Sequence, residues 1–193
     1  MSNATTAETL RPLAFWFLRH GETDWNAHNL SQGAVEVPLN ANGLAQAHRA
    51  AALLRGRGIA TLISSTVGRA QVTAEIVGQA LGLPVAFDPE LREASYGDRE
   101  GQPMSEWFQE WVDGVSTPEG GEPFAALRAR AVAAINRALA RPAPVLIVSH
   151  GGLFRAVRAA MGLPPNVRTP NATPLWCEPP APDAAAWTLN PAT

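Results

Sequence analysis

Leu13-Ala14-Phe15-Trp16-Phe17-Leu18-Arg19-His20-Gly21-Glu22-Thr23 is the stretch from which the fold can be read. Leu13 to Leu18 is a continuous apolar and aromatic run. That pattern marks a strand buried on both faces, the habit of parallel sheets covered by helices. Arg19, His20 and Gly21 follow at once, so polar chemistry starts where the strand stops. In doubly wound sheets, ligands sit outside these carboxyl ends.

Working outward, a second such run is Val145 to Val148, introduced by Pro142 and Pro144, with shorter candidates at Thr61 to Ser64 and Val85 to Phe87. Helical stripes alternate with them. Leu44, Ala47, Ala51 and Leu54 stop at the Gly56 and Gly58 breakers; Ala70, Ala74, Val77 and Leu81 stop at Gly82-Leu83-Pro84, with Ser65 as the expected N-cap. Phe124, Leu127, Ala131 and Ile135 form a third stripe; Leu153, Val157, Ala160 and Met161 form a fourth. Strands separated by helices pair in parallel through right-handed crossovers. The expected class is α/β: a single domain over 11–193, with a mostly parallel central sheet and helices on both faces. Residues 1–10 are small and polar and read as a disordered tail. The segment 92–121 mixes Gly, Pro, acids and the aromatics Trp107, Phe108 and Trp111; it reads as a lid-like excursion with one short helix. Ala185 to Leu189 reads as a last edge strand.

Composition excludes several classes. A chain of 193 residues can bury a sizeable core, and a formal net charge of −2 lacks the cationic surplus of a general nucleic-acid or membrane-surface binder. The single cysteine, Cys177, permits no intrachain disulfide framework and reads as inert. Met1 to Leu10 lacks a basic segment followed by an apolar core, and Leu13 to Leu18 is too short to span a bilayer. The expectation is a cytoplasmic protein with no membrane or nucleic-acid partner. The oligomeric state is open, a homodimer being one option.

Two histidines share a local setting. His20 precedes Gly21 after the first strand, and His150 precedes Gly151-Gly152 after the fourth. Each glycine admits close backbone approach, and a helix starting after each histidine would aim N–H groups at an anion. Arg19 adjoins His20, and Arg69 falls in the first turn of the second helix, where the macrodipole disfavours a cation. A guanidinium fork matches phosphoryl oxygens bidentately. Without the motif, Arg69 reads more readily as a solvated helix residue than as a ligand contact. His28 and His48 lack metal-ligand spacing with the other histidines and read as surface residues; no metal is expected.

Leu18-Arg19-His20-Gly21-Glu22-Thr23 with Asn26 resembles the signature of the histidine phosphatase superfamily, which includes the cofactor-dependent phosphoglycerate mutases. Further landmarks follow in family order. They are Gln32-Gly33, Ser64-Ser65 with Arg69-Ala70, then Leu91, Glu93, Gly97, Glu100 and Gly101, then Gly120-Gly121-Glu122, and Val148-Ser149-His150-Gly151-Gly152, with a weaker echo at Asn171-Ala172. Two departures stand out. Glu36 occupies a common aspartate position, and Thr66-Val67-Gly68 replaces a more acidic run; altered packing or substrate fit is expected.

The resemblance implies roles. His20 would attack phosphorus and carry the phosphoryl group. Arg19, Arg69 and His150 would hold its oxygens, supported by Asn26 and the Gly151 backbone, with Gly21, Thr23, Gln32 and Gly33 completing the phosphate site. Glu93 would act as proton donor and acceptor, singled out from Glu90 and Glu100 only by its spacing to Gly97 and Gly101. Each role is sensible chemistry. A free imidazole has a pKa near ~6.5 and is mostly neutral at pH 7. Phosphoryl transfer is dominated by positioning and charge stabilisation. A carboxyl beside a bound dianion keeps its proton more readily, which suits a general acid. The expected activity is metal-independent, cofactor-free hydrolysis of a small phosphorylated metabolite. The short Gly101 to Pro118 segment favours a phosphatase over a mutase, because family mutases usually carry a longer insertion there. A phosphoglycerate mutase and a non-catalytic phosphate-binding module are the alternatives.

Overall fold

The computed structural model describes residues 9–181 and 186–193. Most of the expected tail at 1–10, and Ala185 of the expected edge strand, lie outside the described residues. Thr9 and Leu10 are described: the Thr9 carbonyl accepts from Asn136 Nδ2 at 2.9 Å, and Leu10 packs on the core.

Strands β1 (Phe15–Arg19), β2 (Thr61–Ser64), β3 (Val85–Phe87) and β4 (Val145–Ser149) pair in parallel in the order β3-β2-β4-β1. Two antiparallel strands, β5 (Leu175–Glu178) and β6 (Thr188–Pro191), extend the sheet beyond β1. The helices are α1 (Asp24–Ala27), α2 (Ala41–Leu54), α3 (Gly68–Leu81), α4 (Glu106–Val112), α5 (Phe124–Leu139) and α6 (Gly151–Ala160). Side chains alternate across β1, so each face receives part of its apolar run. Trp16 and Leu18 join α2 and α3 in one core cluster; Phe15 and Phe17 join α4, α5 and α6 in the other. Among the described residues, no helix is long and apolar enough to cross a membrane.

The register positions the chemistry. Arg19 pairs with Ser149, and Ser64 with Val148, so β1, β2 and β4 end nearly level. The His20 N–H donates to the Ser149 carbonyl and the Ser65 N–H to the Val148 carbonyl, each at 3.0 Å. His20, Ser65 and His150 therefore leave the sheet side by side.

Three local expectations are corrected. Ser65 does not cap α3, whose N-cap is Val67 with no side-chain hydrogen bond. Gly21 does not open a helix; the short α1 starts at Asp24, capped by a reciprocal Thr23–Asn26 box. The edge of the sheet is a two-strand antiparallel pair, with β5 hidden in sequence by Pro174 before it and Pro179-Pro180 after it.

The aromatic segment is core. Trp111 is fully buried, donates its indole N–H to the Glu122 carbonyl at 2.8 Å, and meets Tyr96 and Phe124 edge to face. Replacing it leaves a large cavity and an orphaned carbonyl. Trp111→Ala should destabilise the protein by about 3–5 kcal/mol, read as a lower urea midpoint with an unchanged slope.

Candidate active site

His20 sits just beyond β1 and is 2 % exposed. Its Nδ1 lies 2.7 Å from the Gly21 carbonyl, which can only accept, so Nδ1 carries the proton. Nε2 keeps the lone pair. Burial, then the charges of Arg69 and Arg19, hold the His20 pKa well below its ordinary value. The ring is a neutral imidazole with a nucleophilic nitrogen. The turn is close-packed: a Cβ on Gly21 would overlap the Gly43 carbonyl, and the Gly21 N–H donates to Thr73 Oγ1 at 3.1 Å.

His150 is fully buried, its ring centroid 5.3 Å from that of His20. It lies beside His20 and not on the cavity wall. Nε2 is 2.8 Å from Ser65 Oγ, and Ser65 Oγ already accepts from the Val67 N–H at 3.2 Å. A hydroxyl holding that donor is free to donate its own hydrogen to Nε2, which leaves the proton of neutral His150 on Nδ1. Nδ1 is buried with no partner among the described residues. A buried donor of this kind needs an acceptor, and an anion beside His20 would supply one. Burial, then Arg69, His20 and Arg19, push the His150 pKa well down.

The guanidiniums are held by carbonyls, not carboxylates. Arg19 Nη1 donates to the Thr169 carbonyl at 2.7 Å; Arg69 Nη1 and Nη2 donate to the Val35 and Gly33 carbonyls at 2.8 Å each. Nε of both is buried and unpartnered among the described residues. Burial outweighs the attraction of Glu93 and brings the Arg19 pKa down to about 10; Arg69 is lowered for the same leading reason. Gly33, at φ +53°, lets its carbonyl reach Arg69, and a Cβ there would overlap the Glu100 carboxylate.

Glu93 is nearly buried. Its carboxylate accepts from the N–H groups of Gly152 and Leu153 at 2.8 Å and of Ala94 at 3.0 Å. Two of these donors are orphan amides of the α6 N-terminus, as is the Gly151 N–H beside Arg19. Glu90 instead pairs with exposed Arg92, and Glu100 holds the Ala34 and Tyr96 N–H groups. Arg19, His20, Asn26, Gln32, Gly33, Arg69, Glu93 and Gly151 thus line one small cavity of about 40 Å³.

Two expected phosphate contacts lie behind that cavity. Thr23 is fully buried, donating to Gln32 Oε1 at 2.9 Å and accepting from the Asn26 N–H. Gly21 faces Gly43. Asn26 Oδ1 is occupied by Thr23 N and Asn171 Nδ2, which leaves its amide N–H groups for the cavity. The two departures from family pattern answer each other. The Glu36 carboxylate accepts from the Gly68 N–H at 3.1 Å, capping the helix that Val67 leaves uncapped. His28 and His48 are exposed, and no group of three metal-ligating side chains occurs among the described residues.

Sequence reasoning missed Tyr96, Ser65, Arg155 and Arg168. Tyr96 and Arg155 line the cavity, and Tyr96 closes it against Gly152. Arg155 carried a usable signal, four residues beyond Gly151 and hence on the same helix face. Ser65 stands in the Ser64-Ser65 landmark but reads there only as a helix cap, and Arg168 carried no signal.

Residues 15–172 match the model of the histidine phosphatase superfamily (branch 1). The Yersinia enterocolitica protein named "probable phosphoglycerate mutase" is 40% identical over 167 residues, covering 80% of this chain and 77% of that protein. A mycobacterial glucosyl-3-phosphoglycerate phosphatase, solved with VO3, superposes with a TM-score of 0.78 at 30% identity, covering 91% of this chain and 96% of that one. A Thermus thermophilus protein gives a TM-score of 0.75 at 28% identity, covering 94% of this chain and 100% of that one.

Both depressed histidines link stability to pH. Below pH ~6.5 the unfolded chain takes up protons that the folded chain refuses, so stability falls as pH falls, by up to about 1.4 kcal/mol per pH unit for each histidine. Denaturation between pH 7.5 and 5.5 in an anion-poor buffer should show this slope, and His20→Asn or His150→Asn should flatten it. A Cβ at Gly152 would overlap the Tyr96 hydroxyl and lie 2.6 Å from Glu93 Oε1. Gly152→Ala should therefore displace the carboxylate and lower kcat roughly 10²-fold, with far-ultraviolet circular dichroism unchanged.

Proposed function

Since the chain belongs to the histidine phosphatase superfamily, we propose that it hydrolyses a small phosphomonoester, without a metal, through phosphohistidine at His20. In the first step the Nε2 lone pair of His20 attacks phosphorus and the ester P–O bond breaks. The departing oxygen takes the proton of protonated Glu93. Arg19, Arg69, the Asn26 amide and the Gly151 N–H take the phosphoryl oxygens, and His150 Nδ1 donates from beneath. In the second step Glu93, now a carboxylate, takes a proton from water as the water oxygen bonds to phosphorus. The P–Nε2 bond breaks, inorganic phosphate leaves, and Glu93 is protonated again.

The observation that carries this reading is the neutral His20 with its proton fixed on Nδ1 by the Gly21 carbonyl. A base-free nucleophile then faces guanidiniums whose charge is not consumed by carboxylates, and positioned charge is what phosphoryl transfer needs. Hydrolysis is favoured over mutase action by the brevity of Gly101 to Pro118, which carries a single seven-residue helix. The name of the Yersinia relative supports the mutase as the second reading.

Turnover of p-nitrophenyl phosphate and a panel of phosphomonoesters, with and without chelator, separates these readings. Hydrolysis should persist in chelator and fall at least about 10³-fold in His20→Ala. A base quench during turnover should trap acid-labile phosphate on the wild-type chain only. Interconversion of phosphoglycerates far faster than hydrolysis would replace the phosphatase with the mutase. Saturable binding without turnover would leave a binding module.

A further inference from the structure

A second cavity, of about 250 Å³, opens directly from the first and shares Arg19, Asn26 and Arg155 with it. Its wall carries three guanidiniums, Arg19, Arg155 and Arg168, and no carboxylate. Arg155 is fixed in place: its guanidinium lies 4.8 Å over the Phe108 ring, and its Nε donates to Asn166 Oδ1 at 3.3 Å. Asn166 is tied in turn to Gln109 of α4. Among the described residues, neither Nη group of Arg155 has an acceptor, and Arg168 makes no hydrogen bond or ion pair. These cations repel one another, and Arg168 contributes to lowering the pKa of both Arg19 and Arg155.

One phosphoryl group accounts for Arg19 and Arg69. It does not account for a pinned, half-buried Arg155 facing Arg168 across an adjoining space. Like charges crowded without partners are stabilised when an anion enters between them. We infer that the second cavity binds a second anionic group, carboxylate or phosphate, carried on the leaving-group side of the substrate. Resting on the phosphomonoesterase reading, the inference narrows the substrate class to esters with two anionic ends. Arg155 and Arg168 are its specificity residues; the Phe108 face and Asn166 orient Arg155 toward the ligand.

Inert phosphonates test this without turnover. Propylphosphonate, 3-phosphonopropionate and ethane-1,2-bisphosphonate share a two-methylene linker and differ only in the far end: methyl, carboxylate or phosphonate. Calorimetric titration of the full chain at low salt should show at least one charged-end ligand binding ten-fold or more tighter than propylphosphonate. The tighter of the two identifies the group. Arg155→Met, which keeps an unbranched side chain but removes the guanidinium over Phe108, should reduce that ratio toward one. Exposed Arg168→Met should also reduce it, and provides the test if Arg155→Met does not fold. Equal binding of all three ligands, or a ratio unmoved by substitution, would overturn the inference. If the preference holds but no phosphomonoester is turned over, the hydrolase reading fails and the second anion site stands.

Discussion

Four guanidinium groups, those of Arg19, Arg69, Arg155 and Arg168, converge on one pair of joined cavities, and none forms an ion pair among the described residues. Burying unpaired charge is costly, and the fold is organised around making that cost bearable. Main-chain carbonyls of Gly33, Val35 and Thr169 solvate Arg69 and Arg19 in place of water. Carboxylate partners would have solvated them more strongly but would have cancelled the field. Glu93 is the exception within the inner cavity, and its oxygens are engaged by the Ala94, Gly152 and Leu153 amides rather than by an arginine. The same field explains the histidines. Burial leads, and the arginine charges reinforce it, so both rings are neutral, and a protonated His20 would be useless as a nucleophile.

That electrostatic arrangement depends on the level ends of β1, β2 and β4. Parallel pairing delivers His20, Ser65 and His150 to one rim, and the orphan amides of α6 arrive with His150 because Gly151 and Gly152 continue straight into the helix. Glycine is required at position 152 by space alone, since Tyr96 and Glu93 occupy the volume that a Cβ would take. Backbone geometry thus fixes the nucleophile, its neighbouring histidine and the proton carrier relative to one another.

Much of this was legible in the residue order, and the reasons are physical. Leu13 to Leu18 and Val145 to Val148 are apolar on both faces because helices cover both faces of the sheet, so their role survives in composition alone. Arg69 was suspect because a cation in a helix's first turn opposes the macrodipole. Ser65 was misread for an equally definite reason: a serine before a helical stripe is a common cap, and nothing local shows that its hydroxyl turns toward a histidine 85 residues away. β5 was lost among prolines that flank it without interrupting it. Thr23 looked like a ligand contact but serves the α1 cap and Gln32, a hydrogen-bond economy visible only in three dimensions.

The two cavities divide the proposed reaction by size. The inner space of about 40 Å³ is bounded by strand ends, the α6 amides and Arg69, which leaves room for little beyond a phosphoryl group. The leaving group must therefore lie in the outer space of about 250 Å³, against α4, Met104 and Arg155. Because the inner cavity is closed by the sheet, the attacking water has to enter where the leaving group departs. A ligand that stays bound outside would keep water away from phosphohistidine and favour return of the phosphoryl group to carbon-bound oxygen. One that leaves quickly would favour hydrolysis. The grip of Arg155 and Arg168 on the departing alcohol then governs not only which substrate is accepted but also how the phosphoryl group is released, linking specificity to the partition between mutase and phosphatase chemistry.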